Sequence, residues 1–199
     1  MFTGIIQDIG DITAIGKNGD WTVTIAAQKL PLDRMPHGAS VSCSGICLTV
    51  TEKSHNSFKV QVSAETLSRT TALHWKVGTR LNLESAMRMG DEFGGHLVSG
   101  HVDGVARVVE KRREGNSVRY VFEVPAEFAK FIASKGSITL DGVSMTVNET
   151  KKAQFGVNVI PHTLEYTTLD TLEAGSEANF EVDLIARYAA RLMSERAAL

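Results

Sequence analysis

Short runs of alternating or continuous apolar residues fill the first half of the chain: Ile5 to Ile15, Trp21 to Ala26, Val41 to Thr51, Phe58 to Val62 and Arg80 to Leu83. They are rich in Val, Ile and Thr, and Gly19, Pro31, Pro36, Gly38, Asn56 and Gly78 separate them. Period-two alternation puts successive side chains on opposite faces of a strand, so each run predicts a β-strand. Strands recurring every 8–12 residues or so mark an all-β sandwich or barrel. The second half repeats the pattern with Val102 to Val109, Val118 to Val124, Ser137 to Thr150, Phe155 to Ile160 and Ala178 to Val182. Helical interludes are expected at Ala126 to Ser134 and after Thr66 and Thr163.

The two halves are one sequence written twice. An offset of 97 residues carries Gly45-Ile46-Cys47-Leu48-Thr49-Val50-Thr51-Glu52 onto Gly142-Val143-Ser144-Met145-Thr146-Val147-Asn148-Glu149. The same register holds from Phe58 on Phe155 through Thr66-Leu67 on Thr163-Leu164 to Asn82 and Glu84 on Asn179 and Glu181. With a one-residue adjustment, Phe2-Thr3-Gly4-Ile5-Ile6 meets Val98-Ser99-Gly100-His101-Val102, so each copy is expected to open with the same short strand. Five or six strands per copy suit a small closed barrel, which leaves no exposed edges. The chain divides into barrels over 1–90 and 91–183 and a helix over 184–199. In that helix Leu184, Ile185, Tyr188, Ala189, Leu192 and Met193 form an apolar stripe, which either packs back on the barrels or meets other copies of the chain.

Charge narrows the partners. With 21 Lys+Arg against 23 Asp+Glu in 199 residues, the chain has no basic field for nucleic acid, and Lys111-Arg112-Arg113 is its one cluster. No run approaches the ~18 apolar residues of a membrane span, and the opening MFTGIIQDIG has no signal-peptide pattern, so a cytosolic protein is expected. Cys43 and Cys47, four apart in one expected strand, read as thiols. Cys-x3-Cys here and His-x4-His at His96 and His101 have zinc-like spacings, but their separation is far too long for a finger and no metal is expected. Phosphate-binding loops and Gly-x-Ser-x-Gly elbows are absent from the sequence.

Chemistry concentrates in two places. The first is Gly94-Gly95-His96-Leu97-Val98-Ser99-Gly100-His101-Val102-Asp103-Gly104, where the copies join. Its composition reads as a linker, yet two histidines and an interleaved Leu-Val are not linker residues, and His101 stands where the first copy has Ile5. The second is Ser40 to Val50 beside Ser137 to Val147, where Cys47 answers Ser144 and Thr49 answers Thr146. Alternation puts Cys47 with Thr49, and Ser144 with Thr146, on one face, each pair facing one cavity. Cys43 reads as a small buried hydrophobe. Asp183 opens the terminal helix, as a cap or as a rim residue that holds a hydroxyl.

The ordered set Met1-Phe2-Thr3-Gly4-Ile5-Ile6, Gly45 to Val50, Glu65-Thr66-Leu67, Gly94 to Gly104, Asp141 to Val147 and Ile160-Pro161-His162-Thr163-Leu164 resembles the riboflavin synthase family with two lumazine-binding barrels, over essentially residues 1–190. The resemblance implies an all-β fold of two similar six-stranded Greek-key closed barrels in tandem plus a C-terminal α-helix. It implies a cofactor-free dismutation of two 6,7-dimethyl-8-ribityllumazine molecules to riboflavin and a pyrimidinedione, in a homotrimer held by the terminal helices with active sites between subunits. Carried over, the amino-terminal pocket uses Gly4, Ile5, Ile6, Cys47, Leu48, Thr49, Gln61, Val62, Ser63, Ala64, Glu65 and Thr66, and Phe2 packs on a ring. The carboxy-terminal pocket uses Gly100, His101, Val102, Lys135, Ser144, Met145, Thr146, Ile160, Pro161, His162, Thr163, Leu164 and Glu165. In that reading His101, with Ser144 and Thr146, moves a proton from the C7 methyl of one substrate. Ser40 and Cys47 activate C7 of the other, and Asp183 orients a hydroxyl. A non-catalytic lumazine- or flavin-binding antenna protein is the alternative within the same fold.

Overall fold

A computed structural model describes residues 1–196; the expected end of the terminal helix at 199 lies outside them. The first barrel comprises β1 (Asp8–Gly16), β2 (Trp21–Ala26), β3 (Ser40–Cys43), β4 (Ile46–Lys53), β5 (Ser57–Val62) and β6 (Arg80–Ser85). The second comprises β7 (Gly104–Glu114), β8 (Ser117–Glu123), β9 (Ser137–Leu140), β10 (Val143–Lys151), β11 (Gln154–Val159) and β12 (Glu177–Val182). Both close, in the orders β1-β2-β5-β4-β3-β6 and β7-β8-β11-β10-β9-β12, all pairs antiparallel. Helices α1 (Ala64–Arg69) and α2 (Pro161–Tyr166) follow β5 and β11, and α3 (Leu184–Arg196) follows β12. Each barrel has its own core, built around Phe58, Ile25 and Leu83 in the first and Tyr120, Phe122, Phe155 and Phe180 in the second.

Two sequence expectations are corrected. The runs 41–51 and 137–150 are hairpins rather than single strands, because Ser44-Gly45 and Asp141-Gly142 all take positive φ (46°, 83°, 44° and 79°) and form two-residue primed turns. The openings at Ile5 and Val98 are not strands either. Gly4 and Gly100, both at φ +77°, turn the chain, β1 begins at Asp8 and β7 at Gly104, and a lone bridge joins Phe2 to Val98. The one-residue adjustment falls in the β1–β2 hairpin. Ile12 precedes its bulge as Val108 does, an offset of 96, whereas Trp21 and Val118 pair with Val62 and Val159, an offset of 97.

The barrels meet about a pseudo-twofold axis at their primed turns. Asn82 Nδ2 donates to the Asp141 carbonyl (2.9 Å) and Asn179 Nδ2 to that of Ser44 (2.8 Å). Their side-chain oxygens accept the amides of Thr168 (2.7 Å) and Thr71 (2.8 Å) in the opposite barrel. Both asparagines are buried, and this reciprocal set satisfies each of them.

Asp183 caps α3, its Oδ1 accepting the Ile185 amide at 2.8 Å. Arg187 Nη2 reaches both oxygens of Asp103 at 2.5 and 2.6 Å, docking the first turn on the second barrel. Beyond that turn the apolar stripe is exposed: Tyr188, Leu192 and Met193 are 63%, 70% and 71% exposed.

Candidate functional site: two clefts closed by crossed segments

Strand β4 buries Ile46, Leu48 and Val50 inward, which turns Cys47 and Thr49 to the outer wall of the first barrel. Strand β10 does the same with Ser144 and Thr146. Ser40 lies directly across β3–β4 from Thr49, and Ser137 across β9–β10 from Thr146. The shared faces expected from alternation are therefore present. Cys43 belongs to the barrel core, where burial pushes its thiol far up, so the two cysteines lie on opposite sides of the barrel wall.

The segments that close these clefts come from the other copy. The Cys47 amide donates to the Gly100 carbonyl (2.8 Å), and Val102 packs on the first core. The Ser144 amide donates to the Gly4 carbonyl (2.8 Å), and Ile6 packs on the second core. This corrects the expected grouping. Gly100, His101 and Val102 belong with Cys47, while Gly4, Ile5 and Ile6 belong with Ser144. The duplicated register equates the two segments but carries no information about which barrel each one crosses to. Phe2 is also placed differently from its expected role on a ligand ring: it is fully buried, with its ring 2.9 Å from where a Cβ on Gly100 would sit.

The first cleft, about 270 Å³, is lined by Ile46, Cys47, Glu65, Thr66, Arg69, Thr70, Gly100, His101 and Val102. Ser63 caps α1 through its Oγ, 3.2 Å from the Thr66 amide, which fixes Thr66 toward the cleft. Gln61, Ala64 and Glu65 are exposed beside it, whereas Val62 and Leu48 point into the core and offer only main chain. In the second copy α2 presents Ile160, Pro161, His162 and Glu165 at the surface with Thr163 and Leu164 half-buried, and Met145 points inward. Lys135 is exposed at the start of the β9–β10 hairpin, its amide donating to the Val147 carbonyl at 2.8 Å, next in the chain to Thr146.

One residue was missed by the sequence reading. His96 Nδ1 lies 2.7 Å from Ser144 Oγ, and its Nε2 lies 3.2 Å from Thr139 Oγ1. Burial holds the imidazole below its ordinary pKa, opposed by the nearby Asp183 carboxylate. The two clefts thus hold different acid–base sets: a thiol with the exposed His101 in the first, a hydroxyl bonded to a buried neutral imidazole in the second. The signal for His96 was present in Gly94-Gly95-His96. Gly95 leaves no room for a side chain, since a Cβ there would fall 2.0 Å from the Thr3 carbonyl oxygen, and this close approach seats the next residue.

Gly100→Ala is expected to destabilise the fold by about 2 to 3 kcal/mol, because the added Cβ would sit 2.6 Å from that of Cys47 at a φ that disfavours L-residues. The midpoint of urea unfolding measures this.

Two like barrels, each with an outer wall of strand backbone, hydroxyls and acid–base groups closed by a crossing segment, fit a tandem small-molecule-binding protein. The Lumazine binding domain matches the chain twice, at residues 3–86 and 99–183, and the chain belongs to this family. Its relatives include the riboflavin synthase of Brucella abortus (strain 2308), 45% identical over 96% of this chain and 98% of the relative. That of Photobacterium phosphoreum is 44% identical over 97% and 89%. Crystal structures of LumP complexed with riboflavin and with 6,7-dimethyl-8-(1'-D-ribityl) lumazine superpose with TM-scores of 0.83 and 0.82 at 29% and 28% identity, each covering 92% of this chain and 99% of the neighbour.

Proposed function

We propose that this chain is a cytoplasmic, homotrimeric riboflavin synthase. It converts two molecules of 6,7-dimethyl-8-ribityllumazine into riboflavin and 5-amino-6-ribitylaminouracil, with no cofactor. One lumazine passes a four-carbon unit to the other, so atoms and electrons balance without an external oxidant. The observation that carries this reading is one outer barrel wall, with its crossing segment, made twice and then made chemically unequal at Cys47 and Ser144. A reaction between two copies of one substrate needs two similar sites, and donor and acceptor roles need them to differ. Holding two rings in register contributes up to roughly 7–11 kcal/mol in favourable cases.

We assign the proton transfer to a pair other than His101. Ser144 and His96 form the hydrogen-bonded pair in the second cleft, and the neutral imidazole accepts the proton of the C7 methyl through the Ser144 hydroxyl. The Asp183 charge favours the imidazolium that results. Cys47, with Ser40 and Thr49 beside it, supports addition at C7 of the acceptor in the first cleft, and His101 faces the same ligand. The uncovered stripe of α3 joins subunits, and the first cleft of one subunit meets the second cleft of its neighbour.

The purified protein, incubated with 6,7-dimethyl-8-ribityllumazine alone, is expected to yield riboflavin and the pyrimidine in equal amounts, and its native mass to be three times 21.6 kDa. Bound lumazine without conversion would make the chain an antenna protein, and no binding would sink both readings.

A further inference from the structure

Each crossing segment is tied down by a buried glutamate from the barrel it leaves. Glu84, on β6, accepts the Thr3 amide (2.7 Å) and Thr3 Oγ1 (2.8 Å) on one oxygen, and the Gly4 amide (2.9 Å) on the other. Glu181, on β12, repeats this with the Ser99 amide (2.8 Å) and Ser99 Oγ (2.5 Å) on one oxygen and the Gly100 amide (2.8 Å) on the other. Every group facing each carboxyl is a donor, so an ionised carboxylate matches the set and a neutral amide does not. The carbonyls of the two clamped glycines are the same ones that bind the Ser144 and Cys47 amides.

We infer that Glu84 and Glu181 are positioning residues wired crosswise: Glu84 of the first barrel sets the cleft of the second, and Glu181 of the second sets the cleft of the first. The chain from each carboxylate is short and rigid. Glu84 fixes Gly4, Gly4 lies against Ser144, and Ile6 is anchored in the second core. Glu181 fixes Gly100, Gly100 lies against Cys47, and Val102 is anchored in the first core. At both glycines a Cβ would fall 2.6 Å from the neighbouring Cβ, so the segments have no slack in which to absorb a lost clamp. Each barrel therefore reports its own integrity to the ligand site on the other, which couples two sites that share no side chain. The inference rests on the proposed reading of the two clefts as ligand sites.

Glu84→Gln and Glu181→Gln keep side-chain volume and place an NH2 against an existing donor, which removes one arm of the clamp. The full-length protein is compared by hydrogen–deuterium exchange read at single amides, with riboflavin as the probe. In Glu84→Gln the Ser144 amide is expected to exchange about tenfold faster and riboflavin to protect the second cleft about tenfold less tightly, with Cys47 and the first cleft within about twofold of wild type. Glu181→Gln is expected to give the mirror pattern. Thr3→Val and Ser99→Ala keep the carboxylates and remove one donor each; they are expected to show the same crossed pattern at a few-fold size. Loosening of the same barrel's cleft, or of both equally, would overturn the inference, since a merely structural role would speed exchange throughout. Wild-type protein that bound riboflavin at neither cleft would remove the proposed function, while the exchange rates of the Ser144 and Cys47 amides would still decide the wiring.

Discussion

His96→Gln lowers the turnover number about a hundredfold and changes riboflavin binding less than about threefold, the expected result if the imidazole takes the proton and does little else. Glutamine can keep a hydrogen bond to Ser144 Oγ in place of the 2.7 Å contact, so the cleft retains its shape and loses only a group that titrates. The pH profile separates this from a packing effect. Burial lowers the His96 pKa from 6.5, so the imidazole is neutral and competent as a base at pH 7 and stays so somewhat below 6.5. Wild-type turnover is expected to hold through pH 6.5 and to fall as pH drops through the lowered value. The variant lacks that acid limb. Ser144→Ala, which removes the relay and leaves the imidazole, is expected to lower turnover and to keep the limb in what remains. Full turnover in His96→Gln, or an acid limb unchanged by it, would return the proton transfer to another group.

What the sequence made legible was whatever lies along the chain at fixed intervals. The 97-residue register found both barrels, and period-two alternation correctly put Cys47 with Thr49, and Ser144 with Thr146, on one face. The hairpins inside 41–51 and 137–150 were marked by Ser-Gly and Asp-Gly, but the apolar residues on both sides concealed the turn. Relations across the chain were harder. His96 and Ser144 are 48 residues apart and belong to no repeated motif, so neither the register nor the alternation connects them. The crossing of Gly4 and Gly100 is a property of the path between barrels, and a register within each copy is blind to it. The terminal stripe was legible as apolar, and in the structure its Leu192 is 70% exposed.

Asp141→Asn is expected to remove a slope of stability with pH amounting to about 4 kcal/mol. Asp141 is buried in the primed turn at the contact between barrels, where Oδ1 accepts the Asn179 amide at 2.8 Å and its carbonyl accepts from Asn82. Burial raises its pKa from 3.8 to about 7, against the smaller opposite effect of that hydrogen bond. Between these values the folded chain holds a proton that the unfolded chain has released. The stabilisation linked to this proton is complete below pH 3.8 and is lost as pH rises through about 7, at 1.36 kcal/mol per unit. Asparagine keeps the accepting oxygen, offers a neutral amide in place of the carboxyl, and tolerates the φ of 44°. Urea unfolding at pH 4, 6 and 8 is therefore expected to show the variant gaining steadily on wild type and ahead by about 4 kcal/mol at pH 8. The first copy supplies the control. Ser44 occupies the equivalent turn, with Oγ accepting the Asn82 amide at 3.2 Å, so Ser44→Asp is expected to add a second slope of the same sign. Parallel curves for wild type and Asp141→Asn across this range would mean that the carboxyl is ionised in the folded protein, and that the docking of the two barrels carries a buried charge.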